Sequence, residues 1–150
     1  MTDARDLAVN IITIEEGFRE NPYLCSEGFP TVGIGFRCDS LESPSMTPED
    51  AQERLLVLVD EVIGVVEKSS LGDVWELCSP LRRAVLISSC FQLGFRGISA
   101  FKGMFRALRQ EDYPQAAIEM RDSRWYHQTP NRVGRQSEML EHDELLDYYK

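Results

Sequence analysis

Apolar residues at Ala4, Leu7, Ala8, Ile11 and Ile14 recur at intervals of three and four, the period that lines one face of an α-helix. Glu15 and Glu16 close this helix and Gly17 stops it, because a glycine just past the last turn takes a C-terminal cap conformation at little cost. From Pro22 to Phe36 the period changes: glycines and a proline punctuate alternating β-branched positions, which suits short twisted strands in a hairpin. No other stretch reads convincingly as β. Helical spacing returns at Thr47, an N-cap with Pro48 at the first helical position and Asp50 three residues on. The helix that follows, Ala51 to Lys68, is apolar at Leu55 to Val59, Val62, Ile63, Val65 and Val66. So wide a face predicts a central helix linking or spanning two lobes. After a turn at Ser69 to Asp73, shorter helices are expected over Leu81–Gly94, Phe101–Arg109 and Pro114–Arg121, then a last amphipathic segment, Glu138–Lys150. Trp125 and Tyr126 belong to the core of this helical part. The predicted class is α+β and mostly helical: a small hairpin-bearing N-terminal lobe, a central helix and a helical C-terminal lobe.

With 150 residues, 43% of them hydrophobic, the chain is expected to form one domain, residues 1–150, able to bury a sizeable core. It has no run of about 18 apolar residues, so no membrane-spanning helix is expected. The first residues lack a basic region, a long apolar stretch and a cleavage site, so no secretory signal is visible. Cys25, Cys38, Cys78 and Cys90 form no CxxC pair and read as reduced thiols of a cytosol rather than as a zinc site. The net charge of −9 speaks against a nucleic-acid partner, but its distribution is uneven. Between Arg82 and Arg135 stand ten Lys/Arg against four Asp/Glu, leaving the acidic excess to the rest of the chain. That segment is either a set of solvated helix faces or a surface that meets an anionic polymer.

Candidate chemistry concentrates at the junction of the first helix and the hairpin. Glycosidic bonds break when one group protonates the leaving oxygen while another activates water, or attacks carbon, from the opposite face. Glu16 stands between Ile14 and Phe18, where partial desolvation would suit a general acid. Cys25 is a second group if a neighbour favours its thiolate, because a free thiol near pKa 8.5 is only a few per cent ionised at neutral pH. Thr31 is placed to hold a water. Taken singly, each has an ordinary structural explanation: a surface charge, a core thiol and a strand residue.

The spacing of the three residues within "EEGFRENPYLCSEGFPTVGIGF" resembles the active-site signature of the phage-type lysozymes, the endolysin muramidases of glycoside hydrolase family 24. That signature is Glu, eight residues, Asp or Cys, five residues, Thr. The blocks "LRRAVLISSCFQLG" and "SRWYHQTPNR" are similar to matching helices of the same family and fall in the same order. The resemblance implies a lysozyme-like fold with Glu16 as general acid, Cys25 where an aspartate usually stands, and Thr31 positioning water. It further implies that Arg132 pairs with Glu16, that Phe91 and Gln92 line the saccharide cleft, and that Glu27 faces the cleft from the hairpin edge. It implies hydrolysis of the β-1,4 bond between N-acetylmuramic acid and N-acetylglucosamine in peptidoglycan, with no cofactor and no metal.

A monomer is the default expectation; the same resemblance implies that the protein accumulates in the host bacterial cytoplasm and reaches the wall once the membrane is permeabilised, without inserting into it. Three departures stand out. Phe36 replaces a histidine that makes a structural ion pair, the connection Arg37–Met46 is short, and the net charge is acidic. Cys25 also keeps a different class of function open, a catalytically inactive wall-binding or scaffolding module on the same fold.

Overall fold

The computed structural model describes residues 3–150. Helix α1, Ala4–Glu16, begins where the Asp3 side chain accepts a hydrogen bond from the Asp6 N–H at 2.8 Å, and ends at Gly17, whose φ of 70° turns the chain away. Its inner face is Ala8, Val9, Ile11 and Ile12. Ile14, expected on that face, is exposed instead, since the buried stripe drifts away from a strict three-four reading near the helix end.

The β region starts three residues before the Pro22 read from the sequence and holds three antiparallel strands in the order β1 (Arg19–Leu24), β2 (Pro30–Gly33) and β3 (Phe36–Arg37). A register irregularity between Arg19 and Tyr23 bends β1, after which Tyr23 pairs with Thr31 and Leu24 with Pro30. Val32, Ile34 and Phe36 are buried beneath the sheet. The Phe36 ring meets Phe91 edge to face at 6.5 Å, so an aromatic contact occupies the place where the resemblance implied an absent ion pair.

Helix α2, Pro48–Lys68, carries the expected cap: Thr47 Oγ1 accepts from the Asp50 N–H at 3.1 Å. It leads from the sheet into the helical lobe and packs on α1. Its apolar stripe is wider than its contacts, and Val57 and Val65 remain exposed. A short helix unseen in the sequence, α3 (Gly72–Leu77), follows. Helix α4, Pro80–Ser99, is interrupted at Gly94 (φ 76°), where the sequence ended it, and then resumes for a further turn.

Helices α5 (Lys102–Arg109), α6 (Tyr113–Arg121) and α7 (Arg124–Gln128) complete the wall of the lobe. Trp125 is buried edge to face against Phe101 at 6.0 Å, and Tyr126 is half-buried beside it. Helix α8, Pro130–His142, starts well before the amphipathic segment read from the sequence, because much of its buried face is polar: Arg132, Gln136 and Ser137. The expected single C-terminal segment is broken by Asp143 in the left-handed conformation, leaving a 3-10 turn at Asp147–Tyr149.

Most cations of the basic segment are spent inside this fold. Arg82 stacks on the Tyr113 ring at 3.4 Å and donates to the Leu140 and Glu141 carbonyls that end α8, at 2.7 and 2.8 Å. Arg109 pairs with Asp73, and Arg132 and Arg135 pair with α1.

Candidate active site

Glu16 is the last residue of α1, so its side chain projects from the helix end into the gap between sheet and helical lobe. One carboxylate oxygen, Oε2, accepts from Arg132 Nη1, and Arg132 Nη2 donates to Ser88 Oγ on α4 at 3.2 Å. Three helices thus meet at one ion pair whose arginine side chain is only 8% exposed. Such a pair holds its carboxylate in one rotamer, since releasing it would leave a buried charge unmatched. The other oxygen, Oε1, lies against Gly35, where φ is 71° and a Cβ would collide with the carboxylate. Ile14 and Phe18 are 37% and 39% exposed, so the enclosure the sequence suggested for Glu16 comes from Arg132 and Gly35 instead.

Cys25 follows β1 at the tip of the hairpin. Its N–H donates to the Phe29 carbonyl and its carbonyl accepts from the Gly28 N–H, both at 2.9 Å. Backbone N–H groups of Phe29 and Glu27 stand beside the sulfur in this tight turn. They hold the thiol below its ordinary value, helped by the Thr31 hydroxyl and opposed by slight burial and the Glu27 charge. Cys78 and Cys90, in contrast, are pushed by burial up to about 11. Thr31 is buried on β2, its hydroxyl donating to the Phe29 carbonyl at 2.9 Å. It therefore supports the Cys25 turn from beneath.

A cavity of about 690 Å³ joins Glu16, Cys25, Glu27 and Gln92 to the N-terminal turn of α8, where Asn131 and Arg132 stand. On the other side of Glu16 a second cavity of about 360 Å³ runs past Gly35, Phe36, Phe91 and Gln92. Glu16 and Gln92 line both, so the two form a cleft with the carboxylate at its waist. The buried Gln92 Oε1 has no hydrogen-bond partner within the protein. Thr31 is absent from the lining of either cavity, whereas Glu16, Cys25, Glu27, Phe91, Gln92 and Arg132 all reach one. No group of three or more His, Cys, Asp and Glu side chains among the described residues is arranged to hold a metal ion.

The sequence model of the phage lysozyme family matches residues 13–141, from the end of α1 to the end of α8. The chain belongs to the phage lysozyme family. Family membership places it among lysozyme-type glycoside hydrolases. The chain is 25% identical to "Probable T4-type lysozyme 1" of Dictyostelium discoideum, covering 93% of this chain and 96% of that protein. It is 27% identical to "Pre-baseplate central spike protein Gp5" of Enterobacteria phage T4, over 81% of this chain but only 25% of that much longer protein.

Two features of this lysozyme-family site escaped the sequence reading. Gly35 was taken only as a strand residue; its positive φ and its contact with Glu16 are tertiary facts. Beside the Glu16 pair lies a second one: Arg135 donates twice to Glu15 at 2.8 Å, and Tyr149 donates its hydroxyl to the same carboxylate. Asn10 Nδ2 then donates to the Tyr149 carbonyl at 2.7 Å, binding the C-terminal turn to α1. Burial alone would raise Glu15, but hydrogen bonds from Arg135 and Tyr149, with the charges of Arg135 and Arg132, leave its carboxyl below the ordinary range. The available signal was the three-residue spacing of Arg132 and Arg135, which puts both on one helix face opposite Glu15 and Glu16.

Proposed function

We propose that the protein is a peptidoglycan hydrolase that cleaves the β-1,4 bond between N-acetylmuramic acid and N-acetylglucosamine. The observation that carries this reading is the Glu16 carboxylate at the waist of the cleft, its Oε2 occupied by buried Arg132 and its Oε1 lying beside Gly35, which lines the smaller cavity. Oε1 protonates the leaving glycosidic oxygen. Cys25, favoured as thiolate by its turn, then serves as the second group, activating water or attacking the anomeric carbon. Thr31 supports the turn that carries the thiol. In this reading residues 1–150 act as one monomeric domain without cofactor. The protein is made in the cytoplasm of the host bacterium, reaches the wall after the membrane is permeabilised, and lyses the cell.

The test is lysis of chloroform-treated Gram-negative cells followed by turbidity. Wild type clears the suspension, and Glu16→Gln, which conserves shape and removes the proton donor, loses about 10² to 10⁴ in rate while keeping its melting temperature near that of wild type. Wild type that binds walls without clearing them returns the reading to the inactive wall-binding module.

A further inference from the structure

We infer that the Phe36 side of the cleft is a subsite for a carboxylate carried by the glycan strand, with Arg37 and Arg54 as the residues that recognise it. This rests on the hydrolase reading above and adds a charge specificity to it.

The two arginines line the cavity of about 360 Å³, Arg37 from β3 and Arg54 from α2. Arg37 stacks over the Phe29 ring at 4.0 Å and Arg54 over the Phe36 ring at 4.9 Å. A guanidinium lying on an aromatic face is held in orientation while its N–H groups stay available at the edges. Among the described residues neither is paired with a carboxylate, although the chain carries 25 Asp and Glu. Arg5, Arg109, Arg132 and Arg135 all found such partners. Around this cavity Glu16 is the one acid, and its Oε2 belongs to Arg132.

A neutral sugar does not call for two cations at a cleft wall, and an acidic protein places them there against its overall charge. What fits is a planar anion that accepts two N–H groups at once, which a carboxylate does. N-acetylmuramic acid carries a lactyl side chain beside the scissile bond; its carboxylate is free on a bare strand, and where a stem peptide is joined to it by an amide bond the stem supplies carboxylates of its own. An exposed charge pair of this kind is worth about threefold in affinity, so the two together are worth about tenfold.

The experiment compares three soluble wall-glycan preparations: intact strands with stem peptides, strands stripped by an amidase so that the lactyl carboxylate is free, and strands whose carboxylates have all been converted to amides. Expected for Arg37→Gln/Arg54→Gln is a KM about tenfold higher on a carboxylate-bearing preparation and unchanged on the amidated one, with kcat little altered. Exposed Arg96→Gln is the control and leaves all three as in wild type. A loss on intact strands alone places the carboxylate on the stem, a loss on stripped strands alone places it on the lactyl group, and a loss on both shows that the subsite accepts either carboxylate. An equal loss on all three, or no loss on any, overturns the inference. Binding of the same strands by Glu16→Gln, measured without turnover, separates the two levels. Charge-selective binding with no hydrolysis by wild type sinks the hydrolase reading alone, and hydrolysis without charge preference sinks this inference alone.

Discussion

Replacing Gly35 by alanine probes the geometry of Glu16 without touching any reacting group. A Cβ at Gly35 would stand 2.9 Å from Glu16 Cδ and closer still to Oε1. Ordinary carbon contacts lie near 3.5 to 4.0 Å, so the carboxylate must retreat by roughly 0.6 to 1.1 Å. It cannot retreat freely, because Arg132 holds it on the far side and is itself held by Ser88. The backbone adds its own cost, since φ of 71° is a left-handed conformation that a side-chain-bearing residue adopts at about 1 to 2 kcal/mol. Melting should therefore fall by about 2 to 8 °C for a chain of this size. If Glu16 is the proton donor proposed above, a displacement near 1 Å should cost about 10²-fold in kcat/KM for wall hydrolysis. Gly94→Ala is the matched control: it shares a positive φ of 76° but meets nothing within 4 Å, so it should lose stability and keep most of its activity. A folded Gly35→Ala within threefold of wild-type hydrolysis would refute the idea that this glycine positions the carboxylate.

Cys25→Ser should lose at least about 10² in rate, because a hydroxyl does not ionise near neutral pH, whereas Cys25→Asp should keep activity. Alkylation should reach Cys25 ahead of Cys78 and Cys90 and inactivate wild type while sparing the Asp variant, as followed by intact mass alongside lysis; a Ser variant as active as wild type removes Cys25 from the chemistry. Arg132→Lys should lose most activity, since one ammonium does not reproduce the fork that joins Glu16 to Ser88; full activity in the Lys variant would count against a positioning role. The depressed Glu15 carboxyl contributes stability above its unfolded value near 4.3 that fades as pH falls through its lower folded value. Glu15→Gln should accordingly be less stable at pH 7 and show a flatter acid limb in melts taken below about pH 4; an unchanged acid limb would show that this carboxyl does not set it.

Much of the scaffold is a local matter and could be read from the chain. Helix α1 and its glycine stop, the Thr47 cap of α2 and the Gly94 break in α4 depend on neighbours a few residues away, and each appears where the pattern puts it. The candidate site residues were picked out for a different reason: their spacing resembles a known signature, and periodicity alone did not single them out. What escaped depended on partners distant in sequence. α8 was misread because its inner face buries Arg132, Gln136 and Ser137, polar groups that hydropathy assigns to the surface and that only tertiary partners make tolerable. Ile14 and Phe18 seemed suited to enclose Glu16 and remain exposed. The enclosure instead brings together Glu16, Gly35, Ser88 and Arg132 from four separate parts of the chain. The sequence by itself determined which groups were available and where helices start and stop. Folding decided which carboxylate oxygen is held by Arg132, because that depends on a buried charge finding its counterion, an interaction that exists only when distant segments close on one another.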